Sequence, residues 1–139
     1  MTDSKKSFAS WTVILLIFLQ FVPLNRINPP ASTDTQLPES IKSSLKKACY
    51  DCHSYETQWR RIAYIAPPSW IIARTVSLGR TALNFSTSGD SKKITSGLLN
   101  KRLRSVVSKG VAHQPLYYFM TPQKQLTLTE IRALQQWLQ

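Results

Sequence analysis

Five consecutive residues, Cys49-Tyr50-Asp51-Cys52-His53, constrain this chain more than any other feature. The 139 residues hold only two Cys and two His, and three of those four lie in this window. Two thiols three positions apart cannot staple distant parts of a fold, so a disulfide framework is excluded. Too few ligands exist for a multi-metal enzyme. The spacing C-x-x-C-H is that of covalent haem attachment. Two thiols so placed at a helix end can add to the two vinyl groups on one side of a porphyrin, and the following histidine then points an imidazole nitrogen at the iron. Two other chemistries use a C-x-x-C pair. A thioredoxin-like redox pair requires a βαβ setting. A zinc site requires four ligands, which Cys49, Cys52, His53 and His113 would number, although adjacent Cys52 and His53 suit one tetrahedral ion badly.

The amino terminus reads as a targeting segment. Lys5 and Lys6 precede the apolar run Phe8–Leu24, FASWTVILLIFLQFVPL. Its length of about 17 residues is near the lower limit for a spanning helix. The next residues show no small-x-small cleavage site. An uncleaved signal anchor over residues 1–24 is expected, with a cleaved signal or a buried core helix as alternatives. The two lysines would stay in the cytoplasm and the rest of the chain would lie in the periplasm, at the inner membrane. Covalent haem attachment takes place on that side, so the two features agree.

Charge narrows the partners. The chain has 18 Lys+Arg against 7 Asp+Glu, a net charge of +11. Much of the excess lies in 92–109, with Lys92, Lys93, Lys101, Arg102, Arg104 and Lys109 and no acid. An exported domain is not expected to bind nucleic acid. A basic helix face could instead steer an acidic redox protein, lie against anionic lipid, or simply be solvated. No small-molecule substrate is evident.

Periodicity predicts an all-α domain over 39–139, after a Pro-rich linker at 25–38, NRINPPASTDTQLP. Pro38 opens a helix with Ile41, Leu45 and Ala48 on one face, running into Cys49. Pro67-Pro68 opens a second, containing Gly79, which weakens it without ending it. Ile94, Leu98, Leu99, Leu103 and Val107 mark a third, up to Gly110. Thr127 and Glu130 have capping-box spacing ahead of a last helix with Ile131, Leu134 and Leu138. Residues 54–66 and 111–126 are expected to be loops.

The chain resembles the small bacterial haem-binding domain proteins with a CxxCH site. FVPLNRINPP is similar to their membrane-proximal stretch. ACYDCHSYETQW, IAPPSW and LNFS follow the order and spacing of their central block, and YYFMTPQKQLTLTEIRALQQWL resembles their carboxy-terminal loop and helix. The likeness covers roughly residues 20–139. It implies a small cytochrome-c-like helical domain with one c-type haem on Cys49 and Cys52 and with His53 as proximal ligand. It implies no reaction. The chain departs from the pattern in one place. Members usually show a Met-Pro pair before the tyrosine–proline loop, where the second axial ligand is taken, and here the residues are Ala112-His113-Gln114-Pro115.

The second iron ligand is therefore expected to be His113, with Met120 or an open site as alternatives. Trp59, Trp70, Tyr117 and Tyr118 are candidates to line the haem, because amphipathic rings pack on porphyrin and offer a polar tip. Arg60 and Arg61 are candidates to pair with propionates. The function expected is electron transfer by a membrane-tethered monohaem carrier. The alternatives are a redox or gas-sensing module and an accessory peroxidase.

Overall fold

The computed structural model describes residues 2–31, 35–87, 94–109 and 113–139. Among them there are α-helices and short 3₁₀ turns and no strand. The helices are α1 (Thr2–Leu19), α2 (Glu39–Ala48), α3 (Tyr50–His53), α4 (Pro68–Ala82), α5 (Gly97–Lys109), α6 (Pro115–Met120) and α7 (Leu128–Trp137). The all-α expectation holds.

The core gathers the apolar faces foreseen from periodicity. Ile41 and Leu45 of α2, Leu103 and Val107 of α5, and Leu134 with Leu138 at the carboxy terminus pack around Tyr50, Phe85 and Ile94. Leu45, Ile94, Leu134 and Leu138 are fully buried. Each such side chain contributes about 1.5–3 kcal/mol from area removed from water. Helix α7 starts on the capping box: Thr127 Oγ1 accepts from the Glu130 amide at 3.2 Å, and Glu130 Oε2 accepts from the Thr127 amide at 2.6 Å. Glu130 also takes Lys47 at 2.9 Å, which ties α7 to α2.

Five regions differ from the expectation. The periodic run from Ile94 does not form one helix. Its regular part begins at Gly97, whose φ of 63° only glycine adopts without strain. Asn100 then donates to the carbonyls of Thr95 and Leu138, at 2.7 and 3.0 Å. Gly110, Lys92 and Lys93 lie outside the described residues. The expected loop at 111–126 contains α6, because Pro115 pre-sets the first helical φ and Leu116–Met120 follow it without a breaker. Residues 61–64 form a 3₁₀ turn. In the expected linker, Asn28 and Thr35 bond to the helical body: Asn28 Nδ2 donates to the Thr57 carbonyl at 2.9 Å, and buried Thr35 donates to the Phe85 carbonyl at 2.6 Å.

The fifth difference concerns the amino terminus. Helix α1 begins before the apolar run and ends at Leu19, short of Leu24. Its apolar part from Phe8 to Leu19 rises about 18 Å at 1.5 Å per residue, against a hydrocarbon core of about 30 Å. Among the described residues no helix is long and apolar enough to cross a membrane. The helix stops where Gln20 turns to the body, with Oε1 accepting from the Ala66 amide at 2.9 Å. Its apolar side chains are uncovered: Phe8, Trp11 and Phe18 are each about two-thirds or more exposed.

Candidate haem site

Helix α2 ends at Ala48, and Cys49 turns the chain into the single helical turn α3 that carries Asp51, Cys52 and His53. This turn packs against α4 at Gly79. A Cβ there would collide with the Cys52 carbonyl and sit 3.2 Å from Cys52 Cβ. The mid-helix glycine is thus a requirement of close backbone approach. Helix α4 then stops at Leu83, whose extended backbone (φ −159°) frees its carbonyl. His53 Nδ1 lies 3.1 Å from that carbonyl. A carbonyl only accepts, so the proton sits on Nδ1 and Nε2 keeps its lone pair. The His53 carbonyl in turn accepts from the Phe85 amide at 2.8 Å. The segment Leu83–Phe85 therefore grips His53 through both ring and backbone. Asn84 shapes the turn by accepting from the Ser86 amide at 3.0 Å.

Arg80, one residue beyond Gly79, organises the chain after the motif. Its guanidinium donates to the Ser54 carbonyl at 2.8 Å, to Thr57 Oγ1 at 2.9 Å, to Asn28 Oδ1 at 2.7 Å and to the Ile27 carbonyl at 3.0 Å.

These elements form one wall of a cavity of about 290 Å³. Cys49, Cys52 and His53 line that wall. Leu99, Leu103, Val106 and Val107 of α5 line another, Leu126 and Ile131 close one end, and His113, Gln114, Tyr117 and Tyr118 border the rest. The lining is mostly hydrocarbon. Among the described residues Arg102 is its one lysine or arginine.

The His113 side is latched to the motif by two phenols. Tyr118 Oη donates to the Ala48 carbonyl at 3.1 Å, just before Cys49. Tyr117 Oη donates to Asp51 Oδ2 at 2.6 Å. Buried Asp51 also takes Lys124 at 3.1 Å and the Gln58 amide at 3.2 Å. Burial first, then Asp51, pushes the Tyr117 hydroxyl well above the ordinary phenol range. Burial pushes Tyr118 the same way.

The rings of His53 and His113 face each other with centroids 6.1 Å apart and planes 27° apart. Both imidazoles line the same cavity, so both could serve one metal centre held there. Burial lowers the pKa of His53 and keeps it a neutral ligand; the carbonyls of Leu83 and Gly79 oppose this and His113 adds to it. The donor set fits a haem: two thiols and a tautomer-locked imidazole on one wall, a second imidazole opposite, hydrocarbon between.

The rival chemistries fit less well. Burial pushes the Cys49 thiol up to about 12 and Cys52 up to about 11. The βαβ setting that a thioredoxin-like pair requires is absent among the described residues, which form no strand. No cluster of three or more His, Cys, Asp or Glu able to hold a bare metal ion occurs among the described residues.

The remaining sequence candidates lie elsewhere. Met120 and Trp59 border a second cavity of about 240 Å³, which shares only Cys52, Gln114 and Tyr117 with the first. Trp59 Nε1 donates to Asn28. Trp70 lines neither cavity. Arg60 borders the second cavity and Arg61 neither, whereas Arg102 reaches the first. Gly79, Arg80, Leu83, Asp51 and Arg102 were not singled out for the site from sequence. A glycine inside a helix and an acid inside the motif were the available signals.

Searches among curated proteins and among solved structures give no significant match. A family model described as a haem-binding domain matches residues 14–139. With its two-walled apolar cavity and that match over most of its length, the chain belongs to the haem-binding domain family.

Proposed function

We propose that the chain carries one c-type haem, joined by thioethers to Cys49 and Cys52, with His53 and His113 as the axial ligands, and that it transfers electrons. One observation carries the reading. The motif cysteines and His53 line one wall of a single apolar cavity, and His113 meets His53 across it at 6.1 Å between ring centres. The haem supplies one-electron redox chemistry; the chain's own residues decide how it is held. The Leu83 carbonyl orients His53 and raises its basicity through Nδ1. Tyr117 and Tyr118 bring the His113 segment against the motif. Hydrocarbon from α5 excludes water. Arg102 is placed to meet a propionate. If His53 and His113 both held the haem, no position would be left for a substrate, which favours a carrier over an enzyme, and the potential would lie below that of a His/Met pair.

Location belongs to the same proposal. The uncovered apolar side chains of α1, preceded by Lys5 and Lys6, suit attachment to the inner membrane with the helical body on the periplasmic side. The redox partner is a protein of unassigned identity; the basic residues of α5 suit an acidic one.

The test is a pyridine haemochrome and a haem-stained denaturing gel of the membrane fraction. A thioether-type spectrum and a stained band at the chain's mass are expected, and Cys49→Ala with Cys52→Ala should abolish the stain. A stain that survives in the double variant overturns covalent attachment. A five-coordinate spectrum that responds to carbon monoxide overturns bis-histidine ligation and with it the carrier.

A further inference from the structure

The junction of α1 with the helical body carries a surface that the haem site does not use. Gln20, one residue past α1, bonds to both the amide and the carbonyl of Ala66. Arg26 lies over the ring of Tyr64 at 4.8 Å. These contacts place the 3₁₀ turn Arg61–Tyr64 and the two residues after it beside the end of the apolar helix. The surface there is half open and largely hydrocarbon: Tyr64 is 56% exposed, Ile65 57% and Ile71 60%. Arg60 and Arg61 are exposed beside them. From residue 57 to residue 87 the sequence contains four Arg and no Asp or Glu, and none of the residues from Gln20 to Ala31 is acidic.

We infer that this face, Arg60–Ile65 with Ile71, rests on an anionic phospholipid surface and fixes the angle of the haem cavity to the bilayer. The inference rests on the reading that α1 enters lipid. Three features choose lipid over a protein partner. The patch is continuous with the end of the exposed apolar helix. It interleaves isoleucine, tyrosine and arginine, the mixture that sits at headgroup level, where long cationic side chains snorkel and phenols straddle the boundary. Its charge has one sign only, and each arginine near an anionic leaflet gains about fivefold in occupancy.

The full-length haem-loaded chain, reconstituted into vesicles of phosphatidylcholine alone or with phosphatidylglycerol, is footprinted with hydroxyl radicals. Oxidation of Tyr64, Ile65 and Ile71 should fall by up to about 25-fold on the anionic vesicles relative to the neutral ones, about fivefold for each of Arg60 and Arg61. Arg60→Gln with Arg61→Gln should remove most of that difference while leaving the haem spectrum unchanged. Equal oxidation on both vesicles, with Phe8, Trp11 and Phe18 protected on both, overturns the inference and leaves the anchor standing. Protection of Leu98 in place of Tyr64 and Ile65 assigns lipid to α5 and also overturns it. Unprotected Phe8, Trp11 and Phe18 remove the anchor; the face then stands if Tyr64 and Ile65 are still protected on anionic vesicles, and falls with the anchor if they are not.

Discussion

On the motif side of the cavity, every constraint on His53 comes from backbone: the Leu83 carbonyl on its ring, the Phe85 amide on its own carbonyl, and the α4 chain at Gly79 pressed on Cys52. On the opposite side, His113 is exposed, and its segment is held by side-chain tips: two phenols, and one buried carboxylate shared with Lys124. Main-chain donors and acceptors survive most side-chain substitutions, because every residue but proline supplies them, and the sensitive point on this side is Gly79, where any Cβ would meet the Cys52 carbonyl. Contacts made by side-chain tips can be removed one at a time. The first wall suits a fixed covalent attachment; the second suits a ligand whose replacement tunes the iron.

The comparison breaks first at Gly79. Gly79→Val should force α4 off α3 and cost about 3 kcal/mol or more, at the upper end of overpacking penalties. Haem-stained protein should fall accordingly, and thermal unfolding of whatever accumulates gives the magnitude. Wild-type melting in that variant would mean that the two helices do not depend on contact there.

His113→Ala should have the opposite profile. In the haem-free chain the fold should change by no more than about 0.5 kcal/mol, since the residue is exposed, while in the loaded chain the ferrous haem should gain carbon monoxide binding. Met120→Leu should leave the spectrum unchanged, because Met120 borders the other cavity. Loss of a Met-type ferric charge-transfer band in Met120→Leu would reverse the assignment.

Tyr117→Phe leaves Asp51 without a 2.6 Å donor and should cost about 1–3 kcal/mol. It should also increase the access of carbon monoxide without altering thioether attachment. Alkaline pH probes the same latch. In the folded chain both phenols are pushed above their ordinary value, so they stay protonated when an unfolded tyrosine, with a pKa of about 10, ionises. Their contribution is complete below about pH 10 and is lost as pH rises beyond it. The Soret band followed from pH 8 upward should change on the His113 side first, and the Tyr117→Phe, Tyr118→Phe double variant should flatten that dependence.

Lys47→Met should matter least. The Lys47–Glu130 pair is partly exposed, so its loss should cost no more than about 1 kcal/mol, and less in high salt. A larger loss in a denaturant titration would show that α2 and α7 depend on charge as well as on Leu45 and Leu134.

Much of this arrangement was legible in local pattern. The helical periods of Ile41-Leu45-Ala48 and Ile131-Leu134-Leu138, the capping box at Thr127 and the motif itself depend on residues within a few turns of each other, where spacing alone dictates which side chains share a face. Gly97 and α6 were missed because a backbone bend and a six-residue helix leave almost no period to detect. The end of α1 was misplaced because the apolar run continues past the point where Gln20 turns to Ala66, a partner 46 positions away. Trp59 and Trp70 are candidates to line the haem by residue type alone, and neither borders the cavity lined by Cys49, Cys52 and His53, because type says nothing about direction.

Residue types and their intervals are enough to supply the donor groups: two thiols and an imidazole at fixed spacing, a lone second histidine, an apolar amino-terminal run, and a helical body to carry them. Which of these meet depends on contacts between distant parts of the chain. His53 and His113 are sixty positions apart, and nothing local relates them. They face each other because Gly79 lets α4 lie on α3, because Leu83 leaves its helix with a free carbonyl, and because Tyr117 and Tyr118 find Asp51 and Ala48 across the chain. Most buried polar atoms find a partner wherever the fold puts them, and that tendency, which no spacing rule contains, helps to bring the two walls of the cavity together.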